Sequence, residues 1–505
     1  MSKLKKIFCI VLTLFIVLGV MSGCEVVKKE DAVSNGDTKG DETPKESELK
    51  PYEINWYIPG TPQKDTPLIE EAANKFLKDK INATLKLVFM TWADYTEKVN
   101  VMLQSGEYFD ICFTSDWSTP KYRTSVSAGL FTPLNDPLNN LLDQYAPKTK
   151  KVLGEDVLKG TRIGGLNYAI PCNKEMARCT GYLFNKELVE KYKFDLSTIK
   201  KYQDVEPMLK VIKENEPDIY PNNKGGIPLD WNFITDSDVP LATYTKAGAK
   251  EVLFWYETPE YQEMIRTVNK WWKLGYIRQD FNTSKEDDVK NYKVFCATYT
   301  LKPGKDAEIS NQFGKPWVQV MISPTIMSNV ELGGSMQAIP RASKDPARVM
   351  MFLELLNTDP YLNNLINFGI EDKHYVKVSD NIIDFAPDTD GGKKSGYNPA
   401  ESWVIGNVFI NYLFKTEDPK KAEKYLEFNK SAIVMETLGF SFNNAPVKAE
   451  IAAIKNITAE YNSIMALNPD GNIPKAIAKF EAAGIRKVQE EAQKQLDEFL
   501  AKTKK

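Results

Sequence analysis

Histidine is the residue this chain has least of. Its 505 residues include one, His374. A multi-histidine metal site is therefore excluded, and any histidine base would have to be that single side chain. Most hydrolytic and oxidative mechanisms become poor candidates. An excess of one charge is missing too. The 65 basic and 68 acidic residues leave a formal charge of −3, with no lysine- or arginine-rich block. That argues against a nucleic-acid surface or a polybasic membrane patch. Cysteine is sparse, at six residues. Cys112, Cys172, Cys179 and Cys296 lie in apolar, strand-like stretches at spacings that form no metal motif. A Cys172–Cys179 disulfide stays open.

What is present begins with a leader. Lys3, Lys5 and Lys6 precede the apolar run Ile7 to Val20, and Met21-Ser22-Gly23-Cys24 follows. A run this short, flanked by basic and then small residues, reads as a secretory signal over 1–23 rather than a spanning helix. Met21-Ser22-Gly23-Cys24 is similar to a bacterial lipobox, with Met21 where leucine is usual. That resemblance implies a lipid on Cys24, which would become the first residue of the mature chain on the extracytoplasmic face of the cell membrane. Residues 24–50 contain no aromatic side chain and mix charges of both signs with Gly, Ser, Asn and Pro. Such a stretch cannot bury enough apolar surface to fold and is expected to be a disordered tether.

The rest of the chain has room for two or three lobes. Alternation over Glu53–Ile58 predicts a strand, and residues 68–79 an amphipathic helix. Ala83 to Met90 reads as a second strand, with Thr91 and Asp94 placed to cap the helix after it. Phe109 to Thr114 is a short buried strand. This strand–helix order predicts a mostly parallel, helix-covered sheet. Further on, Thr258-Pro259 and Asp345-Pro346 are cap and first-turn pairs for two more helices. The spacing from Ile477 to Phe499 predicts one long amphipathic helix.

Several short segments resemble a known family. Phe109–Thr114 with Ala128-Gly129-Leu130-Phe131-Thr132-Pro133-Leu134, Tyr168-Ala169-Ile170-Pro171 with Leu183–Leu188, and Ala338–Pro346 follow in the order seen in family 1 extracellular solute-binding lipoproteins of bacterial ABC importers. Asn367–Tyr375 is similar to the "G-x-E-G-x-H-Y" stretch of the LipO-like branch, with Asp372 in place of its second glycine. Residues from about 430 resemble that branch's C-terminal domain of unassigned role, DUF3502. The resemblance implies an α/β, two-lobed periplasmic-binding-protein-like fold of type II. Each lobe would be a mixed sheet flanked by helices, with a helical C-terminal extension. Mapped onto this chain, it implies lobe one at 51–165 plus 292–337 and lobe two at 166–291 plus 338–505.

A sugar site needs flat aromatic rings and polar groups beside them. Asp116 and Trp117 follow a strand at its carboxyl end, where clefts form in parallel sheets. Trp56, Trp231, Trp255, Tyr299 and Trp403 are further ring candidates, and Arg178, just past the lobe crossing, is a candidate for a hydroxyl pair or carboxylate. Glu371 and His374 are weighed as ligand contacts against a structural turn. Trp271 and Trp272 fall inside an amphipathic pattern and read as core. Asp388, Asp390 and Gly391 loosely follow a calcium loop but lack its further oxygen ligands. No metal and no cofactor is expected.

The expected function is an ABC-importer binding protein, not an enzyme. It would capture an oligosaccharide between the lobes and hand it to permease subunits, as a lipid-anchored monomer without nucleic-acid partners. Two other functions stay open: a secreted glycan-active enzyme with two carboxylates, and a binder of a peptide or another non-sugar solute.

Overall fold

Tyr52–Pro59 alternates strictly enough that Ile54, Trp56 and Ile58 all turn inward and are fully buried. The computed structural model describes residues 49–223, 231–284 and 288–503; the leader, Cys24 and residues 24–48 of the tether lie outside the described residues. Strand 52–59 pairs in parallel with Ala83–Met90 and with Ile111–Thr114. Met336–Ala338 then joins antiparallel between Ile111–Thr114 and Ala169–Pro171, which completes a five-stranded sheet. Helices Thr66–Ile81 and Trp92–Ser105 connect the parallel strands. Thr91 caps the second of these, its hydroxyl oxygen accepting from the Asp94 N–H at 3.2 Å. Gly106, at φ 73°, ends it.

A second sheet has the order Trp317–Met321, Cys179–Asn185, Val294–Leu301, Tyr220–Asn222. Every residue of Cys179–Asn185 is buried. Such a strand needs neighbours on both edges, and it takes 294–301 on one and 317–321 on the other, both antiparallel. The expected division therefore moves. The strands of 292–337 up to Met321 build the second lobe's sheet rather than the first's. In the opposite direction, helices Pro346–Thr358 and Pro360–Phe368 and the stretch around Val404 pack into the first lobe's core rather than the second's. The apolar face Val349, Phe352, Leu353 and Leu356 closes over Trp56, whose ring meets Phe352 edge-on at 5.6 Å.

Helices Lys448–Asn462, Pro469–Ala482 and Ile485–Thr503 cover the second lobe. The expected single helix through 477–499 is broken at Gly484, which adopts φ 88°. All four described cysteines are buried free thiols, so the Cys172–Cys179 disulfide left open above is not formed. Cys172 donates to the Val404 carbonyl at 3.1 Å and Cys179 to the Ser323 carbonyl at 3.1 Å.

Candidate functional site

Three indole rings meet at the carboxyl end of the first sheet. Trp92 opens the helix after strand 83–90, and Trp117 follows strand 111–114. Trp403 arrives from a loop about 290 positions further on, carried by the buried Val404 and Ile405. Trp92 and Trp403 stack with centroids 5.6 Å apart and planes 3° from parallel. Trp117 lies 5.7 Å from Trp92 and 6.1 Å from Trp403, tilted about a third of a right angle. Beneath them the fully buried Phe113 meets all three edge-on, at interplanar angles of 61° to 87° and centroid distances of 5.5 to 6.1 Å. Trp117 is 54% exposed. The result is an aromatic wall with one open face.

Polar groups rim this wall. The Trp92 indole N–H donates to Glu401 Oε1 at 3.0 Å. Burial pushes Glu401 up to about 7, against the pull of the Trp92 N–H. Trp117 donates its N–H to the Gly334 carbonyl at 2.7 Å. Asp116 is raised by burial and held back by Arg123, whose Nε donates to Oδ2 at 3.2 Å. Its Oδ1 is buried without a hydrogen-bond partner. Arg123 reaches on to Ser441 Oγ at 3.0 Å.

The exposed Trp117 ring and its partly buried neighbours thus lie among polar groups at the carboxyl ends of parallel strands, the place where clefts form in such sheets. A profile of bacterial extracellular solute-binding proteins matches residues 59–361. The chain belongs to that family. A second profile, a domain of unknown function (DUF3502), covers residues 436–501 of this solute-binding protein. A carbohydrate ABC transporter substrate-binding protein of Streptococcus pneumoniae is 30% identical over 444 residues, covering 86% of this chain and 88% of the relative. The crystal structure of the N-glycan transport solute-binding protein NgtS from the same organism superposes with a TM-score of 0.81 at 29% identity, covering 90% of this chain and all of the other. NgtS in complex with Man5GlcNAc gives a TM-score of 0.74 at 29% identity, with the same coverage.

Within this solute-binding protein the other expected site residues separate. Trp56 is fully buried in the first core, on the inner face of a central strand, and is not available to a ligand. Trp255 is 5% exposed and stacks on Tyr256 at 4.5 Å, so it too is core. Trp231 opens a strand, is buried and packs on Tyr244 at 5.3 Å. Tyr299 lies in the second lobe, half-buried beside a small core around Trp317. The Arg178 guanidinium bonds Glu331 Oε1 at 2.5 Å and the Trp231 carbonyl at 3.1 Å, which ties it into the crossing between lobes. Glu371 is exposed and pairs with Lys377 at 3.2 Å. His374 is buried and bonds the backbone, as the structural-turn alternative has it. Trp271 is fully buried and Trp272 half-buried.

Of the expected ring candidates, Trp117 and Trp403 come together. Trp403 does so on the first lobe's wall rather than the second's. Sequence reading missed Trp92 and Glu401. Trp92 carried the same signal as Trp117, a tryptophan just past the carboxyl end of a parallel strand. Glu401 carried none beyond its nearness to Trp403.

Proposed function

We propose that this solute-binding protein captures an oligosaccharide on the Trp92–Trp117–Trp403 wall and delivers it to the permease of an ABC importer. The observation that carries the reading is the open face of three converging indoles, because a pyranose ring presents flat C–H surface to such faces and hydroxyls to the polar rim. The relatives point the same way: a structure 28% identical holds Man1GlcNAc and one 29% identical holds Man5GlcNAc. The leader and Met21–Cys24 support export with a lipid on Cys24, leaving residues 24–50 as a tether to the membrane. The protein acts as a binder and carries out no turnover. Glu401 and Asp116 have the raised protonation of a glycosidase acid. Glu401, however, already accepts the Trp92 indole N–H at 3.0 Å.

Calorimetric titration with Man1GlcNAc, Man5GlcNAc and a peptide mixture tests the reading, with chromatography of the sugars afterwards. Heat from a glycan with no product is the expected result. Burial of one ring against a sugar contributes roughly 1–3 kcal/mol, so Trp117→Ala should weaken binding about ten- to a hundredfold. Its melting temperature should stay close to wild type, since the ring is half exposed. Full affinity in Trp117→Ala and Trp403→Ala alike would move the site elsewhere, and cleaved glycan would replace the binder with an enzyme.

A further inference from the structure

Two of the three wall rings are held by the passage between the lobes. Trp317–Met321 belongs to the second sheet and Met336–Ala338 to the first, so residues 322–335 carry the chain from one lobe to the other. The last three residues of this passage each hold one residue of the wall or its rim. The Gly333 carbonyl accepts the Asp116 N–H at 3.3 Å, and a Cβ on Gly333 would stand 3.0 Å from Asp116 Oδ2. The Gly334 carbonyl accepts the Trp117 indole N–H at 2.7 Å. The buried Ser335 hydroxyl donates to the Trp403 carbonyl at 2.8 Å. The other passage joins at the same point, because the Cys172 N–H donates to the Ser335 carbonyl at 3.0 Å. Trp403 itself lies in a turn, outside any helix or strand. Side chains of the crossing therefore do what a strand ladder would otherwise do for its backbone.

We propose that Ser335 is a positioning residue for ligand capture. Its hydroxyl fixes the Trp403 backbone beside the Gly334 carbonyl that takes the Trp117 indole, and so sets the spacing of the two rings from the passage between the lobes. The consequence for affinity rests on the sugar-binding reading above; the ring geometry does not. Ser335 is 1% exposed and spends its proton on a backbone carbonyl, so it acts through Trp403 and not on a ligand. Trp117 and Trp403 stand 6.1 Å apart on separate loops, and their spacing is only as fixed as the backbones that carry them. Those backbones share one anchor, the successive residues 334 and 335. A shift of the passage moves both rings together, whereas loss of the Ser335 donor frees Trp403 alone. Cys172 Sγ and Gln337 Nε2 still hold the next carbonyl, that of Val404. The ring is then loosened rather than released, and a ring that must be ordered on binding lowers affinity.

The test is a double-mutant cycle of Ser335→Ala with Trp403→Ala. It is read by calorimetric titration with Man5GlcNAc and by the near-ultraviolet circular dichroism of the indoles. Ser335→Ala removes one hydrogen bond and should bind about three- to tenfold more weakly, with altered indole bands. Ser335→Thr keeps the hydroxyl and should retain wild-type affinity and bands even where its extra methyl lowers the melting temperature. In the Trp403→Ala background the serine change should leave affinity and spectrum as they are, because the group it positions is gone. An equal loss in both backgrounds overturns the proposal, since a general structural weakening acts with or without the ring. Unchanged indole bands in folded Ser335→Ala also overturn it, as does full affinity in that variant where wild type binds the glycan. Should Ser335→Ala not fold, Ser335→Thr and Ser335→Val, alike in shape and different in the hydroxyl, carry the comparison, and equal behaviour of the two overturns the proposal. If wild type binds no glycan, altered bands confined to the background that retains Trp403 support the positioning role and remove the sugar reading instead.

Discussion

His374 shows how one side chain can look functional and be structural. Its Nδ1 accepts from the Ile370 N–H at 2.9 Å, so the neutral ring carries its proton on Nε2, which faces Asp65 Oδ2 at 3.2 Å. Burial lowers its pKa and Asp65 only partly restores it. The folded state therefore takes up a proton less readily than the unfolded chain. Stability from this group is present above the unfolded value and declines as pH falls below roughly 6.5. The ring is locked by Gly369, which has φ 84° and where a Cβ would lie 2.4 Å from His374 Nδ1. Gly369→Ala should cost about 2–4 kcal/mol in denaturant unfolding through strain and displacement of the ring. Glycan affinity should be unchanged in any fraction that folds, because the first lobe's wall does not include this turn. Asp372, in place of the glycine of the resembled branch, takes φ 63°. Aspartate is among the few residues that tolerate this region, so the departure keeps the turn.

At the scale of elements, what was legible depended on distance along the chain. Thr91 with Asp94 and Thr258 with Pro259 are local signals, and both helices start where those residues put them. Strand pairing is not local. Val294–Leu301 reads as a strand by its own residues, but nothing in them says that Cys296 will face Phe184. That choice follows from the two exposed edges of the fully buried Cys179–Asn185. The site divided in the same way. Trp117 was readable from the end of its own strand, while Trp403 reaches the wall on a distant loop that Ser335 holds at its carbonyl, at 2.8 Å. The second sheet also depends on one glycine. A Cβ on Gly181 would lie 2.0 Å from the Val320 carbonyl oxygen in the neighbouring strand, a gap that backbone on both sides cannot widen without breaking the ladder. Gly181→Ala should lower stability by about 3 kcal/mol and reduce the soluble yield. A melting curve equal to wild type would show that the strands can part at little cost.

At the scale of the whole molecule, the chain crosses between lobes near 172–178 and 322–335, and the segment 421–434 ties both crossings together. Asn429 Oδ1 accepts from the Met176 N–H at 2.7 Å, while Ile433–Val434 pairs in parallel with Ile326–Met327. A charge cluster sits at the same place. Lys302 Nζ lies 3.2 Å from Glu175 and 3.1 Å from Glu308, and 5.3 Å over the Tyr425 ring. Burial alone would raise Glu175, but Lys174 and Lys302 hold it down to about 2, and its carboxylate in turn raises Lys302. A group whose folded pKa is depressed gives stability above its unfolded value and loses it as pH falls toward the folded one. This cluster should therefore contribute an acid-sensitive part of the stability, fading from about pH 5 down to about pH 2. Glu175→Gln leaves Lys302 with one carboxylate in place of two, at side-chain exposures of 13–15%, which should cost about 2 kcal/mol at neutral pH. Because none of these residues belongs to the aromatic wall, Trp117 stacking should survive the change. Any loss of affinity would come from a smaller population of the capture-competent lobe arrangement. Melting curves of wild type and Glu175→Gln at pH 7 and at pH 3 decide the matter. The gap between them should be wide at pH 7 and narrower at pH 3. Equal gaps at both would place the stabilisation in packing rather than in charge.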